Sequence, residues 1–262
     1  MSMPMFPIGS DPGSSFPELL RRMGLTPSTD IGADAAHLSV PHATTCVALR
    51  FTDGVVMAGD RRATSGNLIS HRAMEKVVQS DAHSGVAIAG AAGPAMQMIK
   101  LFQLQLEHYE KVEGSALSLE GKANQLSMMV RDNLPAAMQG MAVVPLFAGY
   151  DLLRATGRLF NYDVTGGRYE EHDFVATGSG MLHAGTVVKV GWRPGLDRSA
   201  AIRLACVSLW EAADADSATG GPDPLRGIYP VVAVITAQGW ERVTDEELAS
   251  VFEEIAAEVR SR

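Results

Sequence analysis

The sequence predicts an α+β fold in which two antiparallel sheets are each covered by helices. Three observations carry that expectation. The elements run in the order strands, two helices, strands, two helices, strand, helix. The hydrophobic period switches between them: residues 44–51 alternate with period two, whereas Met98, Leu101, Phe102 and Leu106 recur at helical spacing. Turn pairs such as Asp53-Gly54 and Gly166-Gly167 reverse the chain between successive strands, which makes neighbours antiparallel.

Residues 1–43 carry Pro4, Pro7, Pro12, Pro17, Pro27 and Pro41 among many Gly and Ser. Such a segment buries little apolar surface against its ordering entropy. Phe16 to Met23 has room for one or two helical turns, and no basic start precedes an apolar core, so the segment is no secretory signal. The first hairpin follows. Its outgoing strand ends near Phe51 and Val55 to Ala58 returns. If Thr52 faces Val55, Ala63 lies opposite Thr44; a three-residue loop puts Arg62 there. Either register brings Asp60 within two or three residues of Thr44.

A turn-rich stretch, Thr64 to Asn67, precedes a strand from Lys76 to Gln79, which turns through Asp81–Gly85 and returns from Val86 to Ala89. Gly90-Ala91-Ala92-Gly93-Pro94 is a tight strand-to-helix turn, with Pro94 suited to a first helical position. Helices are expected at 95–112, stopped by Gly114, and at 119–139, with Pro135 near its end. Strands return at 143–150, 157–164 and 174–177. Gly178-Ser179-Gly180 opens a helix at Met181, and Asp197 can cap another that runs to about Ala213. Residues 214–224 are a polar loop and 231–236 a buried strand. Thr244 to Glu247 reads as a capping box, followed by a helix face of Leu248, Val251, Phe252, Ile255 and Val259.

Composition narrows the function classes. Hydrophobic residues make 46% of the chain, enough for a sizeable core, and the net charge of −8 is the wrong sign for a nucleic-acid face. No apolar run approaches the ~20 residues that span a bilayer, so no membrane is expected. Cys46 and Cys206 stand apart, which suits a reducing cytoplasm and excludes a disulfide framework. The seven histidines form no metal pattern, no Walker sequence is present, and Gly178-Ser179-Gly180 is not the dinucleotide fingerprint. No metal and no cofactor are expected.

Two threonines, Thr44 and Thr45, start the first strand. Strand propensity alone explains them. A threonine hydroxyl becomes a nucleophile only with an adjacent base. Cleavage between Ala43 and Thr44 would supply one, the freed α-amine, whose reference pKa of ~7.7–8.0 suits proton transfer near neutrality. Taken alone, Asp60 and Lys76 are solvated strand-end charges. Beside a hydroxyl, a lysine held by a carboxylate would favour the deprotonated oxygen.

Thr44-Thr45-Cys46-Val47-Ala48-Leu49, then Ala58-Gly59-Asp60-Arg61-Arg62-Ala63-Thr64, then Glu75-Lys76-Val77 resemble the catalytic β-subunits of the 20S proteasome in their actinobacterial form, a likeness that runs from Thr44 to about Val259. The resemblance implies the N-terminal nucleophile hydrolase fold, a four-layer αββα sandwich of two antiparallel sheets flanked by helices. It implies a propeptide at 1–43, removed between Ala43 and Thr44, and a catalytic domain at 44–262. Thr44 matches the nucleophile and Asp60 and Lys76 its acid–lysine pair; Arg62 matches a buried structural arginine. Gly90 matches the oxyanion donor. Ser179, Asp216 and Thr219 match the polar cluster that supports the nucleophile and its amine, with Thr219 where many relatives have serine. Thr64 matches the position whose backbone pairs with substrate as an added strand. Ala63, Met74, Val78, Ile88, Ala92 and Met96 match the first substrate pocket. All are apolar, so cleavage after apolar residues is expected.

The partners implied are α-type subunits and further β copies in stacked seven-membered rings, a ring ATPase acting through the α rings, and unfolded or tagged protein substrates. Relatives commonly carry glycine before the nucleophile. Ala43 stands there instead, and its Cβ should slow self-cleavage. Two rival readings are a two-ring heat-shock-type threonine protease and a silent ring-building subunit that keeps its leader. The long leader, Asp60-Arg61-Arg62 and the C-terminal length speak against the first, and the intact Thr44, Asp60, Lys76 and Asp216 against the second.

Overall fold

A computed structural model describes residues 15–24 and 44–261. One sheet is built from β1 (Thr45–Phe51), β2 (Gly54–Gly59), β10 (Phe174–Gly178), β11 (Val231–Thr236) and β12 (Gly239–Arg242), in the order β10-β1-β2-β11-β12. The second is β5 (Val77–Asp81), β6 (Ser84–Gly90), β7 (Val143–Asp151), β8 (Thr156–Tyr162) and β9 (Arg168–Glu171), in that order. All pairings are antiparallel. Alternation along each strand sorts side chains to opposite faces. Cys46, Ala48, Val55 and Met57 pack between the sheets against Ala87, Leu146, Ala148 and Leu159. Val47, Leu49, Val56 and Ala58 face α5 (Met181–Gly191), α6 (Arg198–Ala215) and α7 (Asp245–Ser261). Val86, Ile88, Phe147 and Phe160 face α2 (Ala92–Glu113) and α3 (Leu119–Asp132). The result is the expected sandwich of helices, sheet, sheet, helices.

The first hairpin takes neither register expected for it. Phe51 pairs with Gly54 and Cys46 with Gly59, so Thr52 and Asp53 form the turn. Gly54 lies inside the ladder because β11 presses on it: a Cβ there would sit 2.0 Å from the Ile235 carbonyl oxygen. The shift carries Asp60 opposite Thr45, and its N–H donates to the Thr45 carbonyl at 3.1 Å.

Other elements depart from expectation. The Gly166-Gly167 turn leads into β9, and Phe174–Gly178 crosses to the other sheet beside β1. A two-stranded ribbon, β3 (Ala63–Ser65) with β4 (Leu68–His71), occupies the stretch read as turns. The helix expected at 119–139 stops at Asp132, and Leu134–Ala137 (α4) follows with Pro135 in its first turn, where its missing N–H costs nothing. Pro94 is the third residue of α2 rather than the first. Half the capping box forms: Thr244 Oγ1 accepts from the Glu247 N–H at 3.2 Å, while the Glu247 carboxylate pairs with Arg198.

Before the first sheet strand, Phe16–Arg22 (α1) is helical and packs on α2, with the Phe16 ring 5.5 Å from that of His108. Ala43 and most of residues 1–43 lie outside the described residues. Among the described residues, no helix is long and apolar enough to cross a membrane.

Candidate active site

Thr44 sits at the head of β1, 5% exposed, where three chain segments converge. The first is the end of β2. Asp60 is fully buried and its carboxylate takes four donors. Oδ1 accepts from Lys76 Nζ at 2.7 Å and from the Thr45 N–H at 2.9 Å. Oδ2 accepts from the N–H groups of Arg62 and Gly220, each at 2.9 Å. Four donors complete the acceptor capacity of an ionised carboxylate. Lys76, 1% exposed, reaches it from just before β5. The solvated-charge reading of Asp60 and Lys76 is thereby overturned.

The second segment is the turn from β10 into α5. The Ser179 N–H donates to the Thr44 carbonyl oxygen at 2.7 Å. Gly178 makes room for that approach, with φ +99° and a virtual Cβ only 1.9 Å from the same oxygen. The third is the loop after α6. Asp216 Oδ2 accepts from the hydroxyls of Ser179 at 2.5 Å and Thr219 at 2.6 Å. Burial alone would raise the Asp216 carboxyl, but those two hydroxyls, the Ala218 N–H and nearby His183 outweigh it and hold the pKa below the usual carboxylate value.

Sequence propensity makes Thr45 only a strand residue. Fully buried, it lies within hydrogen-bond distance of Thr219 Oγ1 at 2.5 Å and accepts from the Gly180 N–H at 3.0 Å. Nothing in the sequence distinguishes it from a β-branched strand residue.

The remaining candidates spread around this centre. Gly90 ends β6 with φ +116°, and a Cβ there would meet the Ala142 carbonyl oxygen at 2.1 Å. Only glycine fits that corner. Met74, Val78 and Met96 pack half-buried against a cluster that includes Ile88. Ala63 lies on the β3–β4 ribbon, paired with His71, and Ala92 opens α2, exposed. Thr64 is the middle residue of β3, half-buried and paired with Ile69. Arg62, expected buried, is half-buried, and its guanidinium donates to the Ser217 carbonyl at 3.0 Å, bracing the 216–220 loop. Among the described residues no group of three or more His, Cys, Asp or Glu could hold a metal ion.

Chemically, one dipeptide, Thr44-Thr45, is gripped by two carboxylate systems: a lysine-bound one at Asp60 and a hydroxyl-bound one at Asp216. The family model described as proteasome subunit matches residues 40–223. A proteasome subunit beta of Acidimicrobium ferrooxidans is 55% identical over 262 residues, covering 100% of this chain and 96% of the relative. Those of Acidothermus cellulolyticus, 57% identical over 222 residues, and Streptomyces griseus, 56% over 218, each cover 83% of this chain and 77% and 78% of their own.

Proposed function

The chain belongs to the proteasome subunit family as a β-type threonine protease of the 20S core, and on that premise we propose that Thr44 is its nucleophile and residues 1–43 its propeptide. The subunit assembles with others into proteasome core rings. The observation that carries the proposal is the convergence of Asp60 with Lys76, and of Ser179 with Asp216, on the two sides of the peptide unit that joins Thr44 to Thr45, its N–H and its carbonyl oxygen. Carbonyl attack by a hydroxyl needs a base, a nearby cation and a donor for the oxyanion.

Thr44 Oγ1 attacks the substrate carbonyl. The α-amine of Thr44 accepts the hydroxyl proton and returns it to the leaving amine. Lys76, held charged by Asp60, favours the developing oxyanionic character of the nucleophile. The Gly90 N–H steadies the oxyanion, and water then hydrolyses the acyl ester. Self-processing uses the same hydroxyl on the Ala43 carbonyl: the acyl group passes from the Thr44 nitrogen to its oxygen, and water hydrolyses the resulting ester. The leader leaves with a new carboxylate at Ala43, and the amine that serves as base is freed. Until then that nitrogen is an amide and cannot accept a proton, so the leader keeps the subunit silent.

Substrate enters as an added strand along Thr64, with an apolar side chain directed to Met74, Val78, Ile88, Met96 and the alanines at 63 and 92. The half-buried, wholly apolar character of the three partly covered members supports that preference. Seven-membered rings stacked on α rings, a docking ATPase, and unfolded or tagged protein substrates complete the reading. Two unpaired buried cysteines suit a cytoplasmic setting. N-terminal sequencing of the assembled particle tests the core claim. Thr44 as first residue in wild type, with an uncleaved, peptidase-dead Thr44→Ala particle, is expected; a particle that hydrolyses peptides with its leader intact overturns it.

A further inference from the structure

We propose that Thr45, the residue after the nucleophile, is a positioning residue of the reaction, its hydroxyl completing a one-directional hydrogen-bond chain that holds Asp216 and Ser179 against Thr44. The inference rests on the reading of Thr44 as nucleophile.

Proton counting fixes the direction of the chain. The Gly180 N–H can only donate, so Thr45 Oγ1 accepts it at 3.0 Å. Asp216, with its pKa depressed, is ionised near neutrality and can only accept. The single hydroxyl proton of Thr219 therefore goes to Asp216 Oδ2 at 2.6 Å. Across the 2.5 Å contact between Thr45 and Thr219, the remaining donor is Thr45. The order is Gly180 N–H to Thr45, Thr45 to Thr219, Thr219 to Asp216, each link polarising the next. Ser179 closes the other side: its proton goes to the same Oδ2 at 2.5 Å in preference to the Thr44 carbonyl at 3.3 Å. Its oxygen lone pairs then remain for a donor such as the freed amine.

Two further facts separate this from a strand residue that happens to be threonine. Thr45 and Thr219 are both 0% exposed, so water cannot replace a lost partner. Gly180 is shaped around the hydroxyl: a Cβ there would lie 2.4 Å from Thr45 Oγ1 and 2.8 Å from Thr219 Oγ1. The backbone of Thr45 adds the other carboxylate, through its N–H to Asp60 Oδ1. One residue thus ties both halves of the site to the nucleophile's peptide unit.

The test compares wild-type, Thr45→Val, Thr45→Ser, Thr219→Val and Thr44→Ala particles, each checked for processing, using a fluorogenic peptide across pH. Thr45→Val keeps the shape and loses the proton. Its kcat should fall about tenfold or more, with KM within about twofold, the effect of one buried hydrogen bond at the reacting end. The acid limb of its kcat profile should move up by about half a unit, because a less polarised Thr219 leaves Asp216 a stronger partner for the protonated amine. Thr45→Ser should recover kcat to within about threefold, and adding Thr219→Val to Thr45→Val should cost little more, since both cut one chain. An unchanged kcat and pH profile in Thr45→Val, or a Thr45→Ser as slow as Thr45→Val, overturns the inference. If Thr45→Val gives no particles, Thr219→Val decides alone: a wild-type rate in it overturns the chain. A Thr44→Ala particle that still cleaves peptide defeats the underlying reading instead; a dead Thr44→Ala beside an unimpaired Thr45→Val defeats only the inference.

Discussion

Lys76 and Asp60 meet at 2.7 Å with 1% and 0% of their side chains exposed. A pair sealed from water loses hydration on both partners, and replacing it by apolar groups is often neutral or stabilising, so stability alone does not explain its presence. Breaking one side is another matter. Asp60→Asn leaves the ammonium buried without its counter-charge and turns one acceptor oxygen into a donor, so either Lys76 and the Thr45 N–H or the Arg62 and Gly220 N–H groups lose their partner. A loss of about 3–5 kcal/mol is expected. For a domain of this size that lowers the midpoint of thermal unfolding by roughly 6–20 °C. Asp60→Asn combined with Lys76→Met should regain much of that stability and none of the activity. Calorimetry and peptide hydrolysis on the same samples check it. Recovery of activity in the double variant would show that the pair is merely structural.

Gly90→Ala should damage the fold before it damages the chemistry. The added Cβ would meet a backbone carbonyl at 2.1 Å, and φ +116° is unfavourable for any side chain. Neither β7 nor the start of α2 can yield without shifting the strand end. A loss of about 2–4 kcal/mol is expected, seen as a lower denaturation midpoint and poor assembly. Full thermal stability in Gly90→Ala would contradict the crowding read from the structure.

The two thiols should be silent. Burial pushes Cys46 and Cys206 up to about 12 each, so at pH 8 almost no thiolate exists in either. Iodoacetamide at that pH should leave both unmodified and the peptidase unaffected until denaturant is added. Mass spectrometry of native and unfolded samples reads this directly. Rapid native labelling of Cys46, which lies behind Lys76 with its Sγ near the Ile88 carbonyl, would mean that the core beneath the site opens.

Much of the fold was legible because its strands carry their own signal. β2 and β11 are buried on both faces and read as apolar runs bounded by turns, while β1, nearly as buried, is recognised by its period-two alternation. β9, Arg168-Tyr169-Glu170-Glu171, is invisible in the sequence because its polar side chains find their partners only in the fold, Glu170 at Arg158, Tyr169 at Asp163 and Arg168 at Glu120 of α3. The first hairpin's register was misplaced because Gly54 reads as a turn residue, whereas its missing side chain serves contact with β11. At the site, Asp60 and Lys76 were found by motif and not by chemistry, since charges at strand ends look solvated until the partner strand is known. Thr45 escaped altogether: propensity explains a threonine in a strand, and only the long-range approach of Gly180 and Thr219 gives its hydroxyl a task.

Acid should loosen the α3 side of the molecule first. Arg158, 4% exposed, reaches Glu170 at 2.6 Å, Glu120 at 2.6 Å and Asp151 at 3.1 Å, and Arg168 reaches Glu120 at 2.5 Å. Burial raises Asp151 and Glu120, but the arginines, with backbone N–H groups at Asp151, outweigh it, and Glu170 is lowered chiefly by its bond to Arg158. All three folded-state values lie below the unfolded ones. Their stabilisation is therefore complete above ~4, the ordinary carboxylate range, and drains away as pH falls through the lower folded values. The thermal midpoint should be level from pH 7 to about 5 and decline below about 4. Arg158→Met removes the central cation and leaves three carboxylates facing each other. Because Glu120 and Glu170 are partly solvated, the cost is nearer 2–3 kcal/mol than the full value for a buried pair. That is a drop of roughly 4–12 °C at pH 7. The slope below pH 4 should flatten in the same variant, since the three pairs to Arg158 are gone and protonation has only the Arg168–Glu120 pair and the longer Arg154–Asp151 contact left to break. An acid limb as steep in Arg158→Met as in wild type would assign the pH dependence to other carboxylates.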